Sequence, residues 1–359
     1  MNKDKTWKIL KDYMETDGLS RFEEKVAKKL RNSIDEKAFE ITRDRMGSML
    51  IRKGEENGPK IVFAAHMDEV GYLVQDIQKN GQIRLSMVGG IWGHSIVGSE
   101  GKIVSSGGKE FKGIFGHTST HLNTDEKEKK VMELKEMYID CGFTSKKQAE
   151  KAGIEIGDPI YLVANSFRMG EDKEFANGKA MDNRAGLTAL TMAIKELEKE
   201  NIKSNAYFVG TVQEEVGTRG AKTSISIIKP SVAFAVDTCP SHDTYGAQEG
   251  TPELGKGVAI LIKDGRTMMD PKLVKYVMNI AKKNDIKCYK YVAQGGGTDA
   301  GELQYGEGGV ATITLSIPQR YLHSPNGMSH LDDIIATSKL IVAIAKDFDS
   351  ETLDKISYK

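Results

Sequence analysis

Two stretches of this chain, IVFAA at 61–65 and VAFAV at 232–236, are apolar at every position, and AYFVGTV at 206–212 is nearly so. A strand with one wetted face alternates apolar and polar residues, whereas an unbroken apolar run suits a strand covered on both faces. Between and after these runs the apolar period changes from two to about 3.6. Leu187, Leu190, Ile194 and Leu197 mark one helix face, and Leu273, Val277 and Ile280 mark another. LDDIIATSKLIVAIAKDF reads as a long closing helix behind the strand VATITLSIP. Strands alternating with helices predict an α/β fold: a helix-covered, largely parallel mixed sheet. The first forty residues predict two more helices, one carrying Trp7, Ile9, Leu10, Tyr13 and Met14, the other Phe22, Val26, Ala27 and Leu30.

Residues 71–164 have a different texture. Short β-rich pieces (YLVQDI, QIRLSMV, GKIVSS, EFKGIFG, PIYLVA) are separated by Gly, Ser and Lys clusters, which predicts a small, barrel-like β-domain. A chain of 359 residues is long enough for two domains. The simplest partition makes 1–70 and 165–359 one catalytic domain, with 71–164 inserted into it. The charge-dense stretch 124–135 reads as a solvated loop, poorly suited to a tight interface. His117 and His121, with no carboxylate motif beside them, read as surface residues of the same polar region.

Lys+Arg and Asp+Glu both number 51, so no general attraction to nucleic acid or an anionic membrane is expected. Cys141, Cys239 and Cys288 lie far apart without pair spacing, as in a reduced protein. The first residues lack the apolar stretch of a signal peptide, and no apolar run reaches the roughly 18 residues of a membrane span. The expected location is the cytoplasm.

Open parallel sheets collect their chemistry at the carboxyl ends of strands. Five side chains of metal-ligand type stand just past an apolar run or at a helix start: His66, Asp182, Glu215, Asp237 and His323. Two histidines and three carboxylates suit a pair of divalent cations, with zinc or cobalt expected and manganese also compatible. Asp68, two residues after His66, lies on the same side of extended chain and is placed to accept the imidazole N–H that faces away from a metal. Asp182 opens a helix, where capping is the alternative use of an aspartate. Glu214 and Glu215 sit together after a buried run, where unpaired charge is expensive. One as ligand and the other as general base is a coherent division, and the residues leave the reverse assignment open. The loop QGGGTDAG matches neither a P-loop nor a dinucleotide fingerprint. It reads as backbone passing close to substrate or a neighbouring subunit, with Gly296, Gly297, Thr298 and Asp299 as candidate substrate contacts.

The segments AHMDEVG, AMDNRAG, QEEVGTRGA, AVDT, GGGTDAG and RYLHSP, in this order, resemble the dinuclear metalloaminopeptidases. These include bacterial glutamyl aminopeptidase, deblocking aminopeptidases and the tetrahedral TET peptidases. The resemblance runs from about residue 15 to 345. It implies one metal held by His66, Asp182 and Asp237, and a second by Asp182, Glu215 and His323. It further implies Glu214 as the base and Asp68 as the residue orienting His66. The implied activity is removal of N-terminal residues from short peptides, and the implied assembly is a dimer built by the inserted domain, extended to a tetrahedral dodecamer.

Two other functions fit parts of the pattern. A two-metal deacylase or carboxypeptidase-like amidohydrolase keeps the metals and changes the substrate. A non-catalytic peptide-binding scaffold keeps the shape, but has no need of Glu214. On specificity, the glycine-rich loop carries no Lys or Arg, which argues against an acidic preference, while Arg320 and Lys290 lie nearby in sequence.

Overall fold

The computed structural model describes residues 2–122, 124 and 129–358. Residues 125–128 of the charged stretch 124–135 lie outside them. The chain begins with two helices, Lys3–Met14 and Glu24–Asn32. Asn2 caps the first by accepting the Lys5 N–H, and Leu10, Tyr13 and Met14 turn inward. Phe22 does not share the apolar face of the second helix as expected: the helix starts after it, and Phe22 is exposed.

Strands β1 (Glu40–Arg43), β2 (Met49–Gly54) and β3 (Lys60–His66) start a large sheet. The chain then leaves it for β4 (Gly71–Ile77), β5 (Ile83–Val88), β6 (Glu100–Val104), β7 (Glu110–Gly116), β8 (Tyr138–Asp140) and β9 (Pro159–Leu162). These six close into an antiparallel barrel in the order β4-β5-β8-β7-β6-β9. Their inward residues, among them Tyr72, Leu85, Ile103, Phe115, Ile139 and Ile160, form a core of their own. Strand β8 was not foreseen, because three residues at the end of a charged stretch are too few to show alternation.

The remaining strands return to the large sheet: β10 (Phe167–Met169), β11 (Phe175–Gly178), β12 (Asn205–Thr211), β13 (Val232–Pro240), β14 (Val258–Lys263), β15 (Cys288–Val292), β16 (Ala311–Arg320) and β17 (Gly327–His330). The order is β1-β2-β12-β3-β13-β16-β17-β11-β10, with β14 pairing β16 and β15 pairing β14. The sheet is mixed: β12, β3, β13 and β16 run parallel in the centre, β15 runs parallel to β14, and the other pairs are antiparallel. The parallel centre is where the unbroken apolar runs lie. Phe208, Phe63 and Phe234 are register partners on β12, β3 and β13, and their rings stack at 5.6 and 4.8 Å. Each buried phenyl contributes about 1.5–3 kcal/mol, so this row ties the three site-bearing strands together. Helices Met181–Leu197 and Leu331–Asp347 pack on each other and supply much of the buried core around the sheet. Among the described residues no helix is long and apolar enough to cross a membrane.

Candidate metal centre

The parallel strands end beside one another, and their last residues face a common cavity of about 730 Å³. His66 is the final residue of β3 and is buried. Its Nε2 lies 3.0 Å from Asp182 Oδ1 and 3.6 Å from Asp237 Oδ1. Its Nδ1 meets the Asp68 main-chain carbonyl at 3.2 Å and the Asp68 carboxylate at 3.4 Å. Burial opposes charge on this imidazole, but Asp182, Asp237 and Asp68 outweigh it and hold His66 well above the usual imidazole range. Nδ1 keeps its proton toward Asp68, and a bound cation would take the place of the proton on Nε2.

Asp182 does not cap the helix Met181–Leu197. Ala180 holds the cap position, Asp182 itself is non-helical, and Asn183 Oδ1 accepts the Gly186 N–H at 2.9 Å instead. Asn183 also donates to the Val236 carbonyl at 2.7 Å, tying this turn to β13. The aspartate is left with both oxygens turned to the cavity. Oδ1 faces His66, and Oδ2 lies 3.3 Å from His323 Nε2.

Glu214 and Glu215 follow β12. Their main-chain N–H groups both donate to the Asp68 carboxylate, at 3.0 and 3.2 Å, and the Ser20 hydroxyl donates to it at 2.6 Å. Asp68 therefore fixes the glutamate pair as well as His66. His323 stands in a left-handed conformation after β16. Its Nδ1 donates to the Gly90 carbonyl at 2.6 Å, and its Nε2 lies 3.4 Å from Glu215 Oε1.

Three overlapping groups of potential ligand atoms result, each within 4.8 Å: His66 with Asp182 and Asp237; Asp182 with Glu215 and His323; and His66 with Glu214 and Glu215. Four carboxyls share this buried space with two imidazoles. Burial, reinforced by Asp182, pushes Glu215 up to about 8, and the same two causes push Asp237 up to about 6. Glu214 is held well above the usual carboxylate range, first by burial and then by Asp237, Glu215 and Asp299. Burial would also raise Asp182, but the His323 and His66 imidazoles hold it far below that range. His323 is carried up to about 9: burial opposes charge there, and Asp182 and Glu215 outweigh it. Glu215 Oε1 is buried without a hydrogen bond. Crowded carboxylates, a buried ligand oxygen without a hydrogen bond and a donor set of imidazoles and carboxylates all fit divalent cations.

Residues 47–340 match the M42 glutamyl aminopeptidase family. The chain belongs to that family. As an M42 aminopeptidase it is a hydrolase of peptide bonds. It is 30% identical over 351 residues to the glutamyl aminopeptidase of Lactococcus lactis, covering 97% of this chain and 98% of the relative. It is also 30% identical over 345 residues to the lysyl aminopeptidase of Pyrococcus furiosus, covering 95% and 97%. Among solved structures, an aminopeptidase of Desulfurococcus kamchatkensis superposes with a TM-score of 0.92 at 31% identity, over 99% of both chains. The TET1 peptidase of Pyrococcus horikoshii, described as assembling into a tetrahedron or a large octahedral shell, gives 0.86 at 31% identity, over 96% of this chain and 100% of that one. The likeness to such assemblies supports self-association of this M42 chain.

The glycine-rich loop is divided between two uses. Gly296, Gly297 and Thr298 line the cavity. Asp299, expected to touch substrate, turns inward instead: it is 2% exposed, and its Oδ2 accepts from the Thr211 hydroxyl at 2.5 Å at the end of β12. A carboxylate beneath the loop can brace it against β12, a use that Asp299 shares with no neighbour in the glycine run. His117 and His121 are exposed, and among the described residues they join no group of potential ligands. Sequence reasoning missed Ser20, Asn183 and Gly90. The first two act through ordinary hydrogen-bonding groups with no motif around them. For Gly90 the only signal was the Gly89–Gly90 pair.

Proposed function

We propose that this chain is a two-metal aminopeptidase that removes N-terminal residues from short peptides. The observation that carries the reading is Asp182, whose two oxygens each face a different histidine, as a bridging ligand requires. His66, Asp182 and Asp237 would hold one cation; Asp182, Glu215 and His323 the other. Zinc or cobalt suits these donors best, and manganese is compatible. When bound, the two cations supply Lewis-acid polarisation of the scissile carbonyl and acidify water.

The protein's own groups do the rest. Glu214 takes the proton from the attacking water and returns it to the leaving amine. Its main-chain N–H is anchored on the Asp68 carboxylate beside that of Glu215, and of the pair we assign Glu214 as base and Glu215 as ligand. Asp68 and the Gly90 carbonyl hold the protons of His66 and His323 on the nitrogens facing away from the cations. Gly296, Gly297 and Thr298 offer main-chain groups to the peptide along the cavity wall. We assign segment 71–164 as an inserted domain that builds a dimer, and the dimers as parts of a tetrahedral dodecamer working in the cytoplasm.

Replacing Glu214 by Gln tests the division of labour. The variant should bind both cations and lose nearly all turnover, by about 10²–10⁴-fold for a lost general base. Turnover near the parent's would remove Glu214 from the role. Parallel assays on N-acetylated peptides separate this activity from a deacylase, which would cleave the blocked forms alone.

A further inference from the structure

We infer that the cavity selects N-terminal residues with a cationic side chain, lysine or arginine, through Asp264. The inference rests on the aminopeptidase reading and names the substrate class of that same site. The relatives carry both glutamyl and lysyl names, so the choice must come from this chain's own residues.

Among the described residues no lysine or arginine lines the cavity. Lys263 and Lys290 adjoin wall residues in sequence, but both are exposed and neither lines the cavity, and two arginines close to the wall are already engaged. Arg320 makes a two-pronged pair with Asp243, at 2.9 and 2.7 Å. Arg266 is drawn to the Thr218 hydroxyl at 3.1 Å and to Glu302 at 3.0 Å. Of the three histidines of the wall, His66 and His323 belong to the proposed metal centre, and His242 turns Nδ1 to the Gln248 carbonyl at 2.8 Å. A substrate carboxylate would therefore meet no free guanidinium or ammonium there.

Acidic groups remain. Two divalent cations would balance the charges of Asp182, Glu214, Glu215 and Asp237, leaving Asp264 and the exposed Glu249 on the wall without a counter-ion. Asp264 is 5% exposed. Its Oδ1 accepts the Arg266 N–H, the Thr267 N–H and the Thr267 hydroxyl, at 2.7, 2.6 and 2.7 Å. Its Oδ2 is buried without any partner. A buried oxygen of this kind is costly to leave unpaired, and an ammonium or guanidinium is the strongest donor it can take. The turn that carries Asp264 rests on the glycine-rich loop, Gly265 N–H donating to the Gly296 carbonyl at 3.2 Å. Asp264 is thus held beside the loop proposed to carry the peptide. Leu261, Tyr291 and Leu322 supply apolar wall for the methylene stem of a long basic side chain.

The test is a panel of Lys-, Arg-, Leu- and Glu-p-nitroanilides on the metal-loaded parent and on Asp264→Asn, which keeps an acceptor for the Thr267 turn. The parent should prefer Lys and Arg over Leu in kcat/KM on the order of 10–100-fold, with Glu poorest. In the variant the Lys-to-Leu ratio should fall by most of that factor. If Asp264→Asn does not fold, the parent alone decides through a norleucine p-nitroanilide, which keeps the apolar stem without the ammonium and should fall to the Leu level in kcat/KM. A parent that prefers Glu or Leu, a Lys-to-Leu ratio untouched by the substitution, or norleucine released as well as Lys, overturns the inference. Failure to release any of the four residues would instead remove the aminopeptidase reading beneath it.

Discussion

Replacing Asp68 with asparagine removes a charge and an acceptor at the point where both halves of the site are tied together. Its Oδ1 accepts the Glu214 N–H at 3.0 Å, and its Oδ2 accepts the Glu215 N–H at 3.2 Å and the Ser20 hydroxyl at 2.6 Å. An amide has a single acceptor oxygen, so whichever way it turns, its NH₂ faces one of the two main-chain N–H groups. The Ser20 hydroxyl can reverse its role; a backbone N–H cannot. Losing a hydrogen bond to a charged group costs about 1.5–3 kcal/mol, and an unsatisfied buried donor about 1–3 kcal/mol. The structure relieves the conflict by moving the Glu214–Glu215 backbone, and the proposed ligand and base move with it. Outer-shell changes of this kind cost roughly 10–100-fold in metal affinity, equivalent to about 1.4–2.8 kcal/mol and within the sum above. Because Asp68 also faces His66, both cation-binding steps should weaken. Chelator competition on parent and Asp68→Asn, with far-UV circular dichroism as a folding control, measures this directly. A folded variant with both affinities unchanged would refute the role given to Asp68.

Two further predictions follow from the same geometry. In metal-free protein His323 is raised from 6.5 to about 9, so its imidazolium stabilises the fold fully below pH 6.5, and that contribution is lost as pH rises through about 9. A cation must displace that proton, and His66, held well above the usual imidazole range by Asp182, Asp237 and Asp68 although burial opposes it, must lose one too. Apparent affinity at both sites should therefore climb with pH; titrations flat between pH 6.5 and 9 would contradict this. At Gly89, left-handed at φ +76°, an added Cβ would lie 2.6 Å from Val70 Cγ1 and 3.3 Å from Glu215 Oε2. Gly89→Ala should shift the turn that presents the Gly90 carbonyl to His323 and weaken one cation by about 10-fold or more, with partial recovery in Gly89→Ala/Val70→Ala; equal loss at both sites would argue for general destabilisation.

The parts of the fold that the sequence made readable are those where burial dictates composition. The Phe63 and Phe234 runs suit strands covered on both faces, and so His66 and Asp237 stood out as polar residues closing them. The antiparallel flanks were not readable, because β10, β11 and β17 are three or four residues long and too short to display a period. At the site, residue type outran geometry. Asp182 was recognisable as a ligand-type residue, but its local reading as a cap gave way because Asn183 does that work one position later. The support for His323 was hidden more deeply: it is a main-chain carbonyl 233 positions away in the barrel segment, and a carbonyl has no residue signature. Asp299 shows the converse, a polar residue in a loop that faces the cavity while its own side chain faces the interior.

The central claim is that Asp182 stands between two cations. Anomalous diffraction from crystals grown with zinc or cobalt measures this most directly. The account predicts two peaks about 3.5–4 Å apart, one beside His66 and Asp237 and the other beside Glu215 and His323, with an oxygen of Asp182 on each. A single peak, or two peaks neither of which touches Asp182, would contradict it.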